Sequence, residues 1–274
     1  MIDNWSNSKI AMLSRCPRQF WYRYILGWKI PPGAALQFGL SYHRTMKANA
    51  DHRIQSGRDM SLEQVKDIFV DEWKRDAAEI EWEFEEKDNQ GHLGDRGVAL
   101  IGNYMKEVSP NREPKLAEYK FEITLPEIDK PFIGVIDLVA MDSHGDDYLV
   151  DHKTSNKRWA ESRAHSELQP TAYYLSFIRL FDKEPSFFLY DVAPKTGKAE
   201  IQVIGTARTE HQIGEYIQRI DVAQELLSKD IYPKTDPGNW YCSEKWCGYY
   251  NHCMRGWSLS RLRMDTTEDI TDAL

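Results

Sequence analysis

Cysteine is scarce in this chain, and its four copies, Cys16, Cys242, Cys247 and Cys253, are unevenly spread. Long apolar runs are missing as well. No stretch reaches the roughly 18 residues that a membrane-spanning helix requires, so no membrane association is expected. The opening residues Met1-Ile2-Asp3-Asn4-Trp5 lack a basic region followed by an apolar one, which predicts no signal peptide and a cytoplasmic setting. In that reducing environment the cysteines are poor candidates for structural disulfides. An excess of positive charge is also absent: the net charge of −8 counts against passive wrapping of nucleic acid, yet it leaves room for a carboxylate metal site with local basic patches. No Walker A motif, internal repeat or low-complexity linker is present.

What is present reads as helices first and a sheet later. A helix is predicted over Ser8 to Tyr24, ended by Pro31-Pro32-Gly33, and a second from near Gln37 that carries His43. Ser61 with Gln64 three residues on is a capping-box pattern, opening a helix expected to run to Asp88 with a solvated acidic face. Gly94 to Val108 reads as a further helix. Lys115 to Leu125, Phe132 to Met141 and Tyr148 to Lys153 have strand length and β-branched composition, and Asp142-Ser143-His144-Gly145-Asp146 predicts a hairpin between the last two. A helix over Leu168 to Leu180, strands over Ser186 to Val192 and Ala199 to Thr206, and a helix over Thr209 to Leu227 complete an α/β core behind an N-terminal helical part. One domain is expected over residues 1–264, with a helical part at 37–110, a core at 115–228 and a cysteine segment at 233–257. The acidic residues 265–274 are expected to be loosely ordered.

Charges inside apolar strands are costly unless paired or metal-bound. Asp137 stands in Gly134-Val135-Ile136-Asp137-Leu138, and Asp151 and Lys153 in Leu149-Val150-Asp151-His152-Lys153-Thr154. Residues two apart on a strand share a face, so Asp151 and Lys153 point together, and the hairpin brings Asp137 alongside. Two carboxylates can hold a divalent cation that polarises a phosphoryl oxygen and acidifies an attacking water, and an ammonium group can orient that water or stabilise developing charge. Oxygen donors favour Mg²⁺ or Mn²⁺. Gln169 and Tyr173, four apart, share a helix face. A short D-x-K pattern by itself reads as a strand-edge salt bridge; its combination with Asp137, the Gln169–Tyr173 pair and His43 favours a catalytic site.

The order Gly39-x-x-x-His43, Gly134-x-x-Asp137, Asp151-x-Lys153-Thr154-Ser155 and Gln169-x-x-x-Tyr173 resembles the RecB-like branch of the PD-(D/E)XK nucleases. The resemblance implies a restriction-endonuclease-like core, a central mixed sheet flanked by helices. It also implies a metal-dependent DNA nuclease, an exonuclease acting on DNA ends or single strands in recombination, repair or phage DNA metabolism. It assigns His43, Asp137, Asp151 and the His152 carbonyl to the metal, makes Lys153 catalytic, and has Gln169 and Tyr173 support the site and DNA. Glu118 resembles an acidic position of some members, with Glu122 as the alternative. A helicase or recombinase partner would be a separate chain. The other class of reading is a non-catalytic DNA-end-binding or recombination-accessory protein; the intact Asp137, Asp151 and Lys153 favour the enzyme.

Cys242-x4-Cys247-x5-Cys253 offers three thiolates from one tail, with Cys16 far upstream, and spacing alone leaves zinc and iron–sulfur open. The one-plus-three pattern, with Cys16-Pro17-Arg18-Gln19-Phe20-Trp21-Tyr22, is similar to the iron–sulfur members of the RecB-like group, among them the CRISPR-associated adaptation nucleases. That likeness implies a 4Fe-4S cluster in a C-terminal cysteine clasp; Zn²⁺ at the same thiols is the alternative. Those members commonly place two residues between the first two C-terminal cysteines, where this chain has four. Basic residues (Arg15, Arg18, Arg23, Lys157, Arg158, Arg163, Arg255, Arg261, Arg263) interleave with aromatics (Phe20, Trp21, Tyr22, Trp159, Trp240, Trp257), a composition suited to single-strand tracks.

Overall fold

The computed structural model describes residues 2–30, 33–79, 89–126 and 128–255. Trp257, Arg261, Arg263, the acidic tail and the end of the predicted 61–88 helix lie outside the described residues. The chain divides into two compact units. Among the described residues the larger comprises 3–7 and 33–221, and the smaller comprises 2, 8–30 and 222–255.

In the larger unit a five-stranded mixed sheet has the order β1 (Pro114–Ile123), β2 (Phe132–Met141), β3 (Asp147–Ser155), β4 (Phe188–Pro194), β5 (Gln202–Thr206). All neighbours are antiparallel except β3 and β4, which are parallel. A parallel pair needs a crossover, supplied here by α6 (Glu161–Ser166) and α7 (Leu168–Phe181). The predicted hairpin joins β2 to β3: Asp142 Oδ1 accepts from the His144 and Asp146 amides, and Gly145 takes φ 88°. Leu138 pairs with Val150, which brings Asp137 next in line to Asp151.

Helix α3 (Ala34–Ser56) begins earlier than its sequence suggested and is amphipathic. Phe38, Tyr42 and Met46 on its buried face pack with Phe69 and Trp73 of α4 (Leu62–Glu79) and with Leu100 and Ile101 of α5 (Gln90–Asn103). Phe38 meets Phe69 and Trp73 edge-on at 5.8 and 5.7 Å; burying each such side chain contributes roughly 1.5–3 kcal/mol. The capping box forms as expected: the Ser61 amide donates to Gln64 Oε1 and the Gln64 amide to Ser61 Oγ. The acidic face of α4 is not simply solvated. Glu72 and Asp76 hold the Arg44 guanidinium, and Asp76 also accepts from Ser41 Oγ at 2.7 Å.

The smaller unit departs from the single predicted N-terminal helix. It breaks into α1 (Asn7–Arg15), whose first residue belongs to the larger unit, α2 (Pro17–Phe20) and a π turn over Trp21–Ile25. The break falls at Cys16, extended at φ −159° and ψ 99°, because the residue before a proline is pushed out of the helical region. Helix α8 (Glu210–Ser228) starts in the larger unit, and a short α9 (Tyr250–Arg255) that the sequence reading did not foresee follows the third cysteine. The Arg18 amide donates to the Pro233 carbonyl at 3.1 Å, Tyr241 Oη to the Arg15 carbonyl at 2.9 Å, and Tyr249 Oη to the Trp28 carbonyl at 2.7 Å. Tyr22 stacks on both Trp28 and Tyr249. Among the described residues no helix is long and apolar enough to cross a membrane.

Candidate active site and cysteine site

Alternation along β3 sends its neighbours to opposite faces. Asp151 faces α7 through Gln169, while the His152 imidazole is buried on the α3 side, 5.6 Å from the Tyr104 ring and 6.5 Å from Tyr42. Asp151 is fully buried. Its Oδ1 accepts from Gln169 Nε2 at 2.5 Å, and its Oδ2 lies 2.7 Å from Lys153 Nζ. Gln169 Nε2 also donates to Tyr173 Oη at 2.9 Å, so the i, i+4 pair on α7 forms one bracket under the acid. Burial alone would lower the Lys153 pKa, but Asp151 and Asp137 outweigh it and hold the ammonium charged.

Asp137 Oδ2 accepts from the His152 backbone amide at 2.8 Å. His43 Nδ1 approaches this oxygen to 3.3 Å and Glu118 Oε1 to 3.5 Å. Ligating atoms of His43, Glu118 and Asp137 all lie within 4.8 Å of one another, a spread that one divalent cation can bridge, and the one-nitrogen, two-oxygen set suits Mn²⁺ or Mg²⁺. Burial and the neighbouring Asp151 push the Asp137 carboxyl up to about 7 against the pull of His43 and Lys153. Burial would lower the His43 pKa, but Asp137, Glu118 and Asp151 raise it to about 9. Such unfavourable clustering of acids is what a bound cation relieves.

Where the sequence left Glu122 as the alternative, the acid that completes this group is Glu118, on β1. Its backbone is left-handed at φ 46°, a conformation that costs a non-glycine residue of order 1 kcal/mol and clusters at functional sites. No sequence pattern announces that conformation at a glutamate. The motif glycines have packing reasons. A Cβ on Gly134 would sit 2.4 Å from Phe121 Cζ on the paired strand, and one on Gly39 would sit 3.1 Å from Thr154 Oγ1. Of the expected sites, His43 and Asp137 are brought together with Glu118; Asp151, Lys153, Gln169 and Tyr173 form the adjoining group. Glu122 stands apart from the cluster on the strand, exposed.

In the smaller unit Cys16, Cys242, Cys247 and Cys253 line one pocket with Tyr22 and Lys234. Burial raises the Cys242 and Cys247 thiols, and the other cysteines raise them further, so as thiolates they repel. Lys234 Nζ donates to the Cys253 carbonyl at 2.7 Å. Among the described residues no three of these sulfurs lie within 4.8 Å of one another. Of the aromatics expected on a nucleic-acid track, Phe20 and Tyr22 are buried and Trp159 lies beneath the Arg163 guanidinium. Trp240 is 70% exposed.

The sequence profile of the PD-(D/E)XK nuclease superfamily matches residues 4–254. Among solved structures the chain is similar to a "putative exonuclease" from Eubacterium rectale at 12% identity and a TM-score of 0.56, over 88% of this chain and 87% of that one. A second, SSO0001, aligns at 16% identity over 94% of this chain and 89% of that one with a TM-score of 0.40, too low to carry an argument. No curated protein matches the chain.

Proposed function

The chain belongs to the PD-(D/E)XK nuclease superfamily, and from that premise we propose that it is a divalent-metal-dependent deoxyribonuclease, an exonuclease of the RecB-like branch. The observation that carries the reading is the convergence of His43, Glu118 and Asp137 within metal-ligand range beside the Asp151–Lys153 pair. The exonuclease named in its fold relative agrees with it.

His43, Glu118 and Asp137 would hold the cation, with Asp151 next in line. A cation so held supplies Lewis acidity at a phosphoryl oxygen and acidifies an attacking water. Lys153, kept charged by two aspartates, orients that water and offsets charge as it develops on the phosphate. Gln169 fixes the Asp151 carboxylate so that its second oxygen stays with Lys153. Tyr173, pushed up by burial and by Asp151, remains a hydroxyl and anchors Gln169. The buried His152 ring, held neutral by burial, packs the opposite face and keeps β3 in place.

The four cysteines are read as ligands of a 4Fe-4S cluster. The support is the shared pocket and the one-plus-three order of the cysteines along the chain. This clasp, Cys16 with 233–257, would fasten the two ends of the smaller unit, and a helicase or recombinase would act as a separate chain.

End-labelled single- and double-stranded DNA, incubated with Mg²⁺ or Mn²⁺, tests the activity. Shortening of the label in steps from one end, stopped by EDTA and restored by excess Mn²⁺, is expected. Cleavage persisting in EDTA would remove the metal from the reading, and binding without cleavage would leave a non-catalytic DNA-end-binding protein.

A further inference from the structure

Helix α3 turns one face to the core through Ala34, Phe38, Tyr42 and Met46. Its other face carries His43, and such a solvent-facing stripe is ordinarily polar. Here it starts with Leu36 and Leu40, 56% and 42% exposed. The spacing of Leu36, Leu40, His43 and Lys47 sets them in one row. Gly39 lies between the leucines, where the helix comes close enough to β3 that a Cβ would meet Thr154 Oγ1. Leu36, Leu40, His43, Glu118, Lys120 and Lys153 thus line a single groove of about 640 Å³, a volume in the range that takes one small organic ligand.

The groove has two chemistries side by side. The first turns of α3 give an apolar stretch, Leu36 and Leu40, open to water; His43, Arg44 and Lys47 further along the helix and Glu118, Lys120 and Lys153 of the sheet make the rest of the groove charged. A single-stranded nucleic acid matches that division, because its phosphates seek the charged wall while its unpaired bases are free to turn onto an apolar one. An intact duplex does not match, since its bases are stacked inward and it offers phosphate and sugar to both walls. Leucine has no hydrogen-bonding group, so contact with it would tolerate any base. An apolar peptide would leave the charged wall without a partner.

We propose that Leu36 and Leu40 are the contact surface for unpaired nucleobases of the strand whose phosphate enters the metal site, making the single strand the form this groove accepts. The proposal rests on the nuclease reading of that site and adds two residues that contact unpaired bases whatever their identity.

The test is a double-mutant cycle on binding, made with the full chain and Ca²⁺ in place of Mn²⁺. Fluorescence anisotropy would follow a labelled single-stranded oligonucleotide, the same strand with consecutive abasic positions, and the duplex. Leu36→Ser with Leu40→Ser is expected to weaken the intact strand by about tenfold, comparable to losing part of one leucine's burial. The abasic strand should bind wild type weakly and lose nothing more in the variant, and duplex affinity should not change. Leu36→Met with Leu40→Met should bind like wild type, which separates lost contact from lost fold. Equal losses on intact and abasic strands, no loss at all, or failure of the methionine variant would each overturn the proposal. Wild-type cleavage, measured separately, keeps the two readings apart. Cleavage without base coupling sinks only this inference, and base coupling without cleavage sinks only the nuclease.

Discussion

His43 Nδ1 on α3 lies 3.3 Å from Asp137 Oδ2 on β2, so a histidine from the helical layer reaches the acid of the hairpin. Without a cation this contact is an ion pair, because the acids around the imidazole raise its pKa to about 9. The proton on His43 therefore stands where a metal would. At neutral pH it must leave before Nδ1 can ligate. Mn²⁺ affinity is expected to climb as pH rises toward about 9, with at least one proton released per ion at neutral pH, from His43 and from the Asp137 carboxyl that burial holds at about 7. Calorimetry in buffers of different ionisation heat reads that proton. Affinity that stays flat between about pH 6.5 and about pH 8.5, with no proton release, would remove His43 from the ligand set.

Lys153→Ala and Asp151→Asn should each lower the single-turnover cleavage rate at least about a hundredfold. Both act on charge that appears in the transition state, and Asn keeps the volume of the buried acid. Melting curves should stay within a few degrees of wild type. A Lys153→Ala protein that cleaves at the normal rate would place catalysis elsewhere.

Glu118→Gln should separate metal binding from chemistry. It removes one acid from the cluster and one partner from His43. The Mn²⁺ concentration for half-maximal cleavage should rise about tenfold or more, with a smaller change at saturating metal. An unchanged Mn²⁺ titration would make Glu118 a plain hydrogen-bonding acid.

Gly134→Ala tests a motif position through packing alone. The added Cβ would meet the Phe121 ring at 2.4 Å, and Phe121 is itself buried against Phe132. The expected cost is about 1–3 kcal/mol, read from denaturant unfolding. A neutral result would mean that the ring moves aside freely.

Anaerobically purified protein should be brown and contain iron and sulfide. Cys247→Ala should lose the colour and melt lower by roughly 5 °C or more, since a clasp between distant chain segments limits the unfolded ensemble. Zinc in place of iron and sulfide would replace the cluster but keep the clasp; a metal-free protein would remove both.

The strands and the hairpin were legible because their signals are local. Apolar runs of strand length in Phe132–Met141 and Asp147–Ser155, joined by the Asp142–Asp146 turn, give the hairpin that brings Asp137 beside Asp151. Period two put Asp151 and Lys153 on one face, and period 3.6 put Gln169 under Tyr173. Other features needed the fold. The left-handed backbone of Glu118, Asp76 turning inward to Ser41 and Arg44, and the helix break at Cys16 each answer to a neighbouring residue or element. Residue types and periods fixed within a few positions can be read along the chain. Which acid meets His43, and which leucines are left facing water beside it, depends on how α3 packs over β1 and β3, and that packing is decided by contacts between residues far apart in sequence.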